Sequence, residues 1–168
     1  VAHHHAARVP RPPAVLQRVS GETKVTSYAE LAEEARRFAA AFDASTPPRA
    51  IIPLYLSKSA SCIAAMVGAL GAGRAFTYLN KKLRLPQLGA VASQTRATTL
   101  LVDGPGMMVL GSGSDAAPSL TEAEWWVVHD HNYLPAHGRT AEALREKGWS
   151  LRDLTLATMQ PSAGNRGR

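Results

Sequence analysis

The stretch from Ser57 to Asn80 constrains the fold of this chain more than any other part of the sequence. Its first half carries four large apolar residues spaced three or four apart, which share one helical face: Ile63, Met66, Val67 and Leu70. Gly71 and Gly73 can take the positive φ that ends a helix, and the next residues, Ala75–Leu79, are rich in strand formers. A helix that returns to a strand through a short glycine turn is half of a βαβ unit.

The residues before this unit predict an antiparallel hairpin, a helix and a strand. Two short β-rich runs, Ala14–Val19 and Lys24–Ser27, flank a polar turn. Ser27 and Glu30 form a capping box at the start of a helix. One apolar stripe follows at helical spacing: Tyr28, Leu31, Ala32, Ala35, Phe38, Ala39 and Phe42. Ala50–Leu56 then reads as a buried strand, in which the missing amide of Pro53 predicts an edge or a bulge.

The residues after the unit continue the alternation of strand and helix. Pro86 suits the first turn of a helix, and Thr98–Val102 is its following strand, which the turn Asp103–Gly106 stops. Strands alternating with helices predict a parallel sheet with right-handed crossovers, and therefore an α/β fold.

The final third is less regular, and its predictions rest on short signals. Gly111–Ser119 is a loop of small residues, after which Thr121 with Glu124 caps a short helix or leads into a strand at Trp125–Val128. Thr140–Lys147 predicts a short helix with Gly148 as its C-cap, and Ser150 with Asp153 caps one more.

Composition excludes several classes of function. The 168 residues suit one domain, and the 19 basic and 13 acidic side chains are scattered, which argues against a nucleic-acid face. No apolar run approaches the roughly 20 residues that cross a bilayer, and the N-terminus lacks the apolar core of a signal peptide. We therefore expect a cytoplasmic protein without membrane or nucleic-acid partners. The single cysteine, Cys62, lies in the apolar helix and is predicted to be an inert buried thiol.

Two groups of histidines are candidate metal ligands. His3, His4 and His5 are consecutive, so their side chains point in different directions, and exposed surface is the better interpretation. A second group near Asp130 could serve a small metal-dependent hydrolase, because an H-x-H pair on a strand places both imidazoles on one face: His129, His131 and His137. The simpler interpretation of this group is polar loop histidines.

The tryptophans suggest a further alternative. Trp125, Trp126 and Trp149 would give an interaction module an aromatic anchor for a partner. Large aromatic side chains more often belong to a core, and that interpretation is preferred here.

Two motifs give the chain a resemblance to a known family. Thr26–Leu31 matches the first core motif of adenylate-forming enzymes, a Thr or Ser followed by Tyr-x-Glu-Leu. Leu70–Asn80 is similar to the second, although Gly71, Tyr78 and Asn80 replace the family's Lys, Pro and Asp. The chain thus resembles the N-terminal portion of acyl-CoA synthetases, luciferases and nonribosomal peptide synthetase adenylation domains, closely from Ala6 to Asp103.

The resemblance implies a Rossmann-like three-layer fragment with a mainly parallel sheet and flanking helices, incomplete relative to the full domain. Residues 1–110 correspond to an N-terminal subdomain, and residues 111–168 to a less regular continuation with short helices that is partly disordered at its end. The family uses ATP and Mg to activate a small carboxylic acid. The partners implied are the remainder of the adenylation domain and a carrier domain.

The resemblance leaves activity in this chain open. The nearest match to the family's phosphate-binding loop is Gly111–Ser114, which lacks the lysine and is better explained as an ordinary loop. The glycines of Gly68-x-x-Gly71-x-Gly73 end a helix, so they do not form a dinucleotide fingerprint. We therefore assign no catalytic, cofactor-binding or metal residue, and expect the chain alone to be inactive, with the catalytic half lying beyond Arg168 or lost.

Overall fold

A hairpin and an alternating series of strands and helices make up the fold. The computed structural model of the chain describes residues 13–113, 118–130 and 133–154. The elements in chain order are β1 (Pro13–Val19), β2 (Glu22–Ser27), α1 (Tyr28–Ser45), β3 (Ile51–Tyr55), α2 (Ala60–Gly71), β4 (Ala75–Tyr78), α3 (Leu85–Thr95), β5 (Thr99–Val102), α4 (Gly104–Gly111), α5 (Pro118–Thr121), β6 (Glu124–Val128), α6 (Pro135–Glu146) and β7 (Ser150–Leu154).

The strands after the hairpin form a parallel sheet, which confirms the predicted α/β class. Within the described residues the sheet has five strands in the order β4-β3-β5-β6-β7, and every neighbouring pair is parallel. β1 and β2 pair separately as the predicted antiparallel hairpin, which turns at Ser20 and Gly21, both with positive φ.

Helices cover both faces of the sheet and enclose two cores. One core lies between the sheet and the pair α1 and α2, and includes Leu101 and Trp126. The other lies beneath α3, α4, α5 and α6, and includes Leu100 and Trp125. Because successive strand residues point to opposite faces, adjacent residues of β5 and β6 enter different cores. The result is the predicted three-layer arrangement.

The capping box at the start of α1 forms as predicted. The amide of Glu30 donates to Ser27 Oγ at 3.2 Å, and the amide of Ser27 donates to Glu30 Oε2 at 2.7 Å. The stripe expected to face a core does so. Tyr28 is partly buried, and three large members are buried: Leu31, Phe38 and Phe42. Two of the four unsatisfied amides of the helix end are thereby paired.

The buried face of α2 differs from the simplest expectation. Its core side consists of small residues such as Ala64, Ala65 and Gly68, whereas Ile63 is 38% and Leu70 62% exposed. A Cβ on Gly68 would come within 2.6 Å of Phe38 Cβ and 2.8 Å of the Ala35 carbonyl oxygen, so α1 and α2 approach too closely for larger side chains. The large apolar residues are therefore displaced to the outer side.

Two positions in the sheet correct the predictions made from proline and serine. β3 is an interior strand, although Pro53 predicted an edge or a bulge. Pairing of β3 with β5 begins only at Leu54, so the missing amide of Pro53 precedes that ladder. Ser150 and Asp153 do not cap a helix, because residues 150–154 form β7, parallel to β6.

Two further elements were predicted as turn or loop. Asp103 does not stop the chain in a turn; its side chain caps α4, and Gly104 and Pro105 are the first helical residues. Gly111 ends that helix, and α5 occupies part of the expected small-residue loop. Of the two alternatives at Thr121 and Glu124, the strand forms, as β6. The helix predicted to begin at Thr140 is α6, which begins about one turn earlier, at Pro135.

No helix in the described ranges is both long enough and apolar enough to cross a membrane.

Candidate functional site

The carboxyl edge of the sheet carries a cluster of buried and partly buried polar groups. The chain passes from β3 to β4 on one side and later returns to β5 on the other side of β3. In such open parallel sheets, ligands bind outside the carboxyl ends of the strands at the point where the strand order reverses. Here that point lies between the ends of β3 and β5.

Asp103, which follows β5, is the centre of this cluster. The residue is 1% exposed, and its carboxylate accepts the Gly106 amide at 2.9 Å and the Ser57 amide at 2.6 Å. It also forms an ion pair and hydrogen bond with Lys81 Nζ. The carboxylate therefore joins the end of β3, the connection after β4 and the first turn of α4.

Lys81 completes the cluster from the connection after β4. Its ammonium also donates to the Tyr55 carbonyl oxygen at 3.0 Å and lies 4.5 Å above the centre of the Tyr55 ring. The Tyr55 hydroxyl donates in return to the carbonyl oxygens of Lys81 and Leu83, at 3.1 and 3.0 Å. The lysine chain and the tyrosine ring thus hold each other in place.

The electrostatics favour a carboxylate that accepts hydrogen bonds over one that exchanges protons. Burial alone would raise the pKa of Asp103, but the charge and hydrogen bond of Lys81 and the hydrogen bonds from Ser57 outweigh it and hold this pKa below its ordinary value. Burial lowers the pKa of Lys81, and the attraction of Asp103 only partly opposes that effect. Both charged groups have partners, so the pair is suited to fastening three segments together.

A cavity of about 550 Å³ opens beside this cluster. Its lining comes from the connection before α3 and from the end of α4: Lys81, Lys82, Leu83, Arg84, Leu85, Pro86, Val109, Ser112 and Gly113. Three of these side chains are cationic, and the carboxylate of Asp103 neutralises only Lys81 among them. The cavity is therefore positively charged along one wall.

In the loop that most resembles a phosphate-binding segment, the amide of Ser112 is already occupied. Ser112 follows the last residue of α4, and its amide donates to the carbonyl oxygens of Met108 and Val109 at 3.1 and 3.3 Å. Its hydroxyl donates to the Val109 carbonyl oxygen at 2.9 Å. A helix carboxyl end carries partial negative charge, which disfavours a phosphate. Ser114 lies outside the described residues.

The histidines near Asp130 have structural partners. His129 Nε2 lies 2.8 Å from Asp153 Oδ1, and its ring stacks on Tyr133 with centroids 3.8 Å apart. His137 is buried, and its Nδ1 accepts the Leu134 amide at 2.9 Å, which caps α6. His131 and His3–His5 lie outside the described residues. Among residues 13–113, 118–130 and 133–154, no three His, Cys, Asp or Glu side chains converge to hold a metal ion.

The tryptophans belong to the core, as the preferred interpretation predicted. Trp125 and Trp126 are fully buried, and Trp149 is 7% exposed. Trp125 Nε1 donates to the Leu120 carbonyl oxygen at 2.8 Å, and Trp126 stacks on Phe42 with centroids 5.3 Å apart. No aromatic anchor is presented to a partner by these three residues.

Sequence reasoning missed the pair of Lys81 and Asp103. No motif pointed to Lys81, and Asp103 was predicted to lie in a turn. The usable signal is position: each residue comes shortly after a strand of a parallel sheet, and such residues gather at one edge. Cys62, by contrast, is buried as predicted, and burial raises the pKa of its thiol to about 11.

Comparisons with known proteins agree with this architecture. The family model for AMP-binding enzymes matches residues 2–159. A curated relative, the nonribosomal peptide synthase roqA from Penicillium rubens, is 37% identical over 54 residues, which are 32% of this chain and 2% of the synthase.

Solved structures show the same fold at low identity. The A-PCP didomain of carboxylic acid reductase from Segniliparus rugosus, in complex with AMP, has a TM-score of 0.73 and 14% identity, covering 94% of this chain and 25% of that one. A benzoate CoA ligase from Burkholderia xenovorans has a TM-score of 0.58 and 21% identity, covering 84% of this chain and 28% of the ligase.

The chain therefore spans about a quarter of these two structures and a small part of the synthase. The family match over nearly its whole length and the likeness of its fold to these structures agree with one another. The chain belongs to the AMP-binding enzyme family, and its fold is that of a fragment of an adenylation domain.

Proposed function

We propose that this chain is the N-terminal scaffold of an adenylate-forming domain and does not activate a substrate on its own. The full domain would join a small carboxylic acid to ATP, form an acyl-adenylate and transfer the acyl group to a thiol. In this proposal residues 1–110 are the N-terminal subdomain, and residues 111–168 continue its sheet through β6 and β7.

The proposal rests on the polar groups at the carboxyl edge of the sheet, which are already paired with one another. A catalytic site there would present free donors or a free base to a ligand. The carboxylate of Asp103 is instead surrounded by two backbone amides and the Lys81 ammonium, and it is almost completely buried. Removal of these partners would destabilise the fold, so the pair is better explained as a structural clamp.

The Asp103 cluster and Ser112 do not fit the groups that the family's reaction requires. A magnesium site needs several free oxygen ligands, and the candidate carboxylate at this edge is already fully used. A phosphate site needs free amides or a helix N-terminus, whereas Ser112 lies at a helix carboxyl end. We therefore derive no reaction step through ATP or Mg for this chain.

The proposed partners are the remainder of an adenylation domain and a carrier domain. One relative of the same fold is an adenylation domain joined to a carrier, the A-PCP didomain of carboxylic acid reductase. The scattered surface charge gives no reason to add a nucleic-acid partner. A cytoplasmic location stays a prediction.

Pyrophosphate exchange tests the proposal directly. The folded 168-residue chain is incubated with ATP, Mg and a broad set of carboxylic and amino acids, and labelled pyrophosphate is followed into ATP. We expect no exchange above the rate without enzyme, while a complete adenylation domain serves as the positive control. Robust exchange with any acid would refute the proposal, because it would require a complete catalytic site within these residues.

A further inference from the structure

One acidic side chain of α1 lies at the border of the buried face of the helix. Glu34 follows Leu31 and precedes Phe38 by about one turn each, and both of these residues are buried. Residues three and four apart share one side of a helix, so Glu34 is on the same side as these two apolar residues. Its side chain therefore loses part of its hydration when the chain folds.

One oxygen of this carboxyl group is enclosed without a hydrogen bond. Glu34 Oε1 is closed to solvent and accepts no hydrogen bond from any group that the structure describes. A charged oxygen in such a place is far more costly than a neutral one, because a buried charge needs donors or a counterion around it. Since the atom is enclosed within this chain, a partner bound at the surface would not reach it unless the packing changed.

The groups that act on Glu34 come from four parts of the chain. Ser61, in the first turn of α2, is buried and forms a hydrogen bond with Glu34. Lys24 of β2 and Arg37 of α1 favour the ionised carboxylate through their positive charges, whereas Asp130, two residues after β6, disfavours it. Burial is the largest of these effects, and it raises the pKa of Glu34 above the ordinary value of 4.5.

We propose that Glu34 forms a proton-dependent contact, which holds α1 against the first turn of α2 and the end of β6 while its carboxyl group is neutral, and which loosens when that group ionises. The neutral carboxyl group carries no charge, so the enclosed position of Oε1 suits it. Ionisation would leave a charged oxygen enclosed without a donor and close to the charge of Asp130. This inference goes beyond the proposed scaffold function and does not depend on it.

The direction of the pH dependence follows from comparing the folded and unfolded chains. The pKa of Glu34 is raised in the folded chain, so the folded chain holds this proton more firmly than the unfolded chain does. The contribution of Glu34 to stability is therefore complete below about pH 4.5 and is lost as the pH rises through the folded pKa.

Thermal unfolding of the wild-type chain and of Glu34→Gln between about pH 4 and 8 tests the proposal. Glutamine has nearly the shape of the neutral carboxyl group and does not ionise. We expect Glu34→Gln to melt at least about 2 °C above the wild type at pH 8, and the two chains to agree within about 1 °C at pH 4. Other titrating groups, Asp103 included, are present in both chains, so their effects cancel in this difference.

Glu33→Gln is the matched control. Glu33 is the preceding residue of the same helix, and its carboxylate pairs with Arg36 and Arg37. Removal of a partly exposed ion pair costs little, so this variant should melt at the wild-type temperature or slightly below it at pH 8. A rise equal to that of Glu34→Gln would overturn the proposal, because it would show that loss of any negative charge from α1 has this effect.

Carbon-13 NMR of the Glu34 carboxyl group reports its protonation directly, and it applies to the wild-type chain even if the glutamine variant does not fold. We expect a titration midpoint above 4.5. Asp130→Asn should lower this midpoint, because it removes a neighbouring negative charge. Lys24→Met should raise it, because it removes a positive one. A wild-type midpoint at or below 4.5 would overturn the proposal.

Hydrogen exchange shows whether ionisation loosens this particular contact. After correction for the intrinsic effect of pH on exchange, the middle of α1 and the N-terminal half of α2 should lose protection between about pH 5 and 8 in the wild type and keep it in Glu34→Gln. Protection of α6, which lies on the other face of the sheet, should be equal in the two chains. Equal protection of α2 in both chains, or a Glu34→Gln variant that melts below the wild type at pH 8, would refute the inference.

Discussion

The contact between α1 and α2 gives the sharpest test of the packing, through one substitution at Gly68. A Cβ at this position would meet Phe38 Cβ at 2.6 Å and the carbonyl oxygen of Ala35 at 2.8 Å. Neither atom is the flexible end of a long side chain, so the two helices themselves would have to separate. Gly71, three residues on in the same helix, has only Ala39 Cβ near, at 3.9 Å.

The expected changes in stability have opposite signs. Alanine in place of glycine favours a helix by about 1 kcal/mol at an interior position and by less at a helix end. Forcing a methyl group into a closely packed site costs about 1–3 kcal/mol, and a backbone oxygen in the contact places Gly68→Ala at the upper part of that range. We expect Gly68→Ala to lower the free energy of unfolding by about 1–2 kcal/mol and Gly71→Ala to raise it by about 0.5 kcal/mol.

Urea denaturation followed by tryptophan fluorescence measures both changes, since Trp126 is in the same core as this contact. A difference of about 2 kcal/mol between the variants also corresponds to roughly 5 °C in Tm for a domain of this size. If Gly68→Ala proved as stable as Gly71→Ala, α1 and α2 would not approach as closely as described. Close packing of the two helices would then not explain why the large apolar residues of α2 are exposed.

Three other predictions concern the buried polar groups. Asp103→Ala should lower the free energy of unfolding, measured in urea, by about 3–5 kcal/mol because Lys81 loses its counterion. The double variant with Lys81→Met should recover part of this loss. A loss below about 1 kcal/mol for Asp103→Ala would contradict the role of the pair as a structural clamp. The folded pKa of Asp103 lies below its ordinary value, so its contribution to stability is complete above about pH 4 and is lost as the pH falls through the folded pKa. Asp103→Asn should therefore flatten the fall of Tm below about pH 4, and an unchanged slope there would be evidence against this pair. Burial raises the pKa of the Cys62 thiol from 9.0 to about 11. Iodoacetamide at about pH 8 should therefore label the folded chain at least about a hundredfold more slowly than the chain in urea. Equal rates of labelling would show that the thiol is not buried.

Local chemistry explains why much of the fold could be predicted. The capping box at Ser27, the apolar stripe of α1 and the glycine turn after α2 depend on neighbours within a few residues. Such signals act through backbone hydrogen bonds and side-chain periodicity, which leave a direct trace in the sequence. The errors fell where local signals were ambiguous, as at Asp103 and Ser150, whose capping residues fit either a turn, a helix or a strand.

The candidate site could not be predicted in the same way. Lys81 and Asp103 are 22 residues apart, and they meet only because β4 and β5 lie on either side of β3. The strand order that brings them together is a property of the whole sheet. Burial then determines their chemistry, because the same two side chains in water would be an ordinary pair of charges.

The sequence by itself determined the alternation of strands and helices, the two family motifs and hence the AMP-binding scaffold, because these depend on periodicity and on residues that lie close together in the chain. Only the tertiary structure decided which face of α2 is buried, in which order the strands of the sheet lie, and how Asp103 is satisfied. Each of these depends on the distance between elements that are far apart in the sequence. Gly68 shows the reason most simply: its importance lies in the backbone of α1 that it touches.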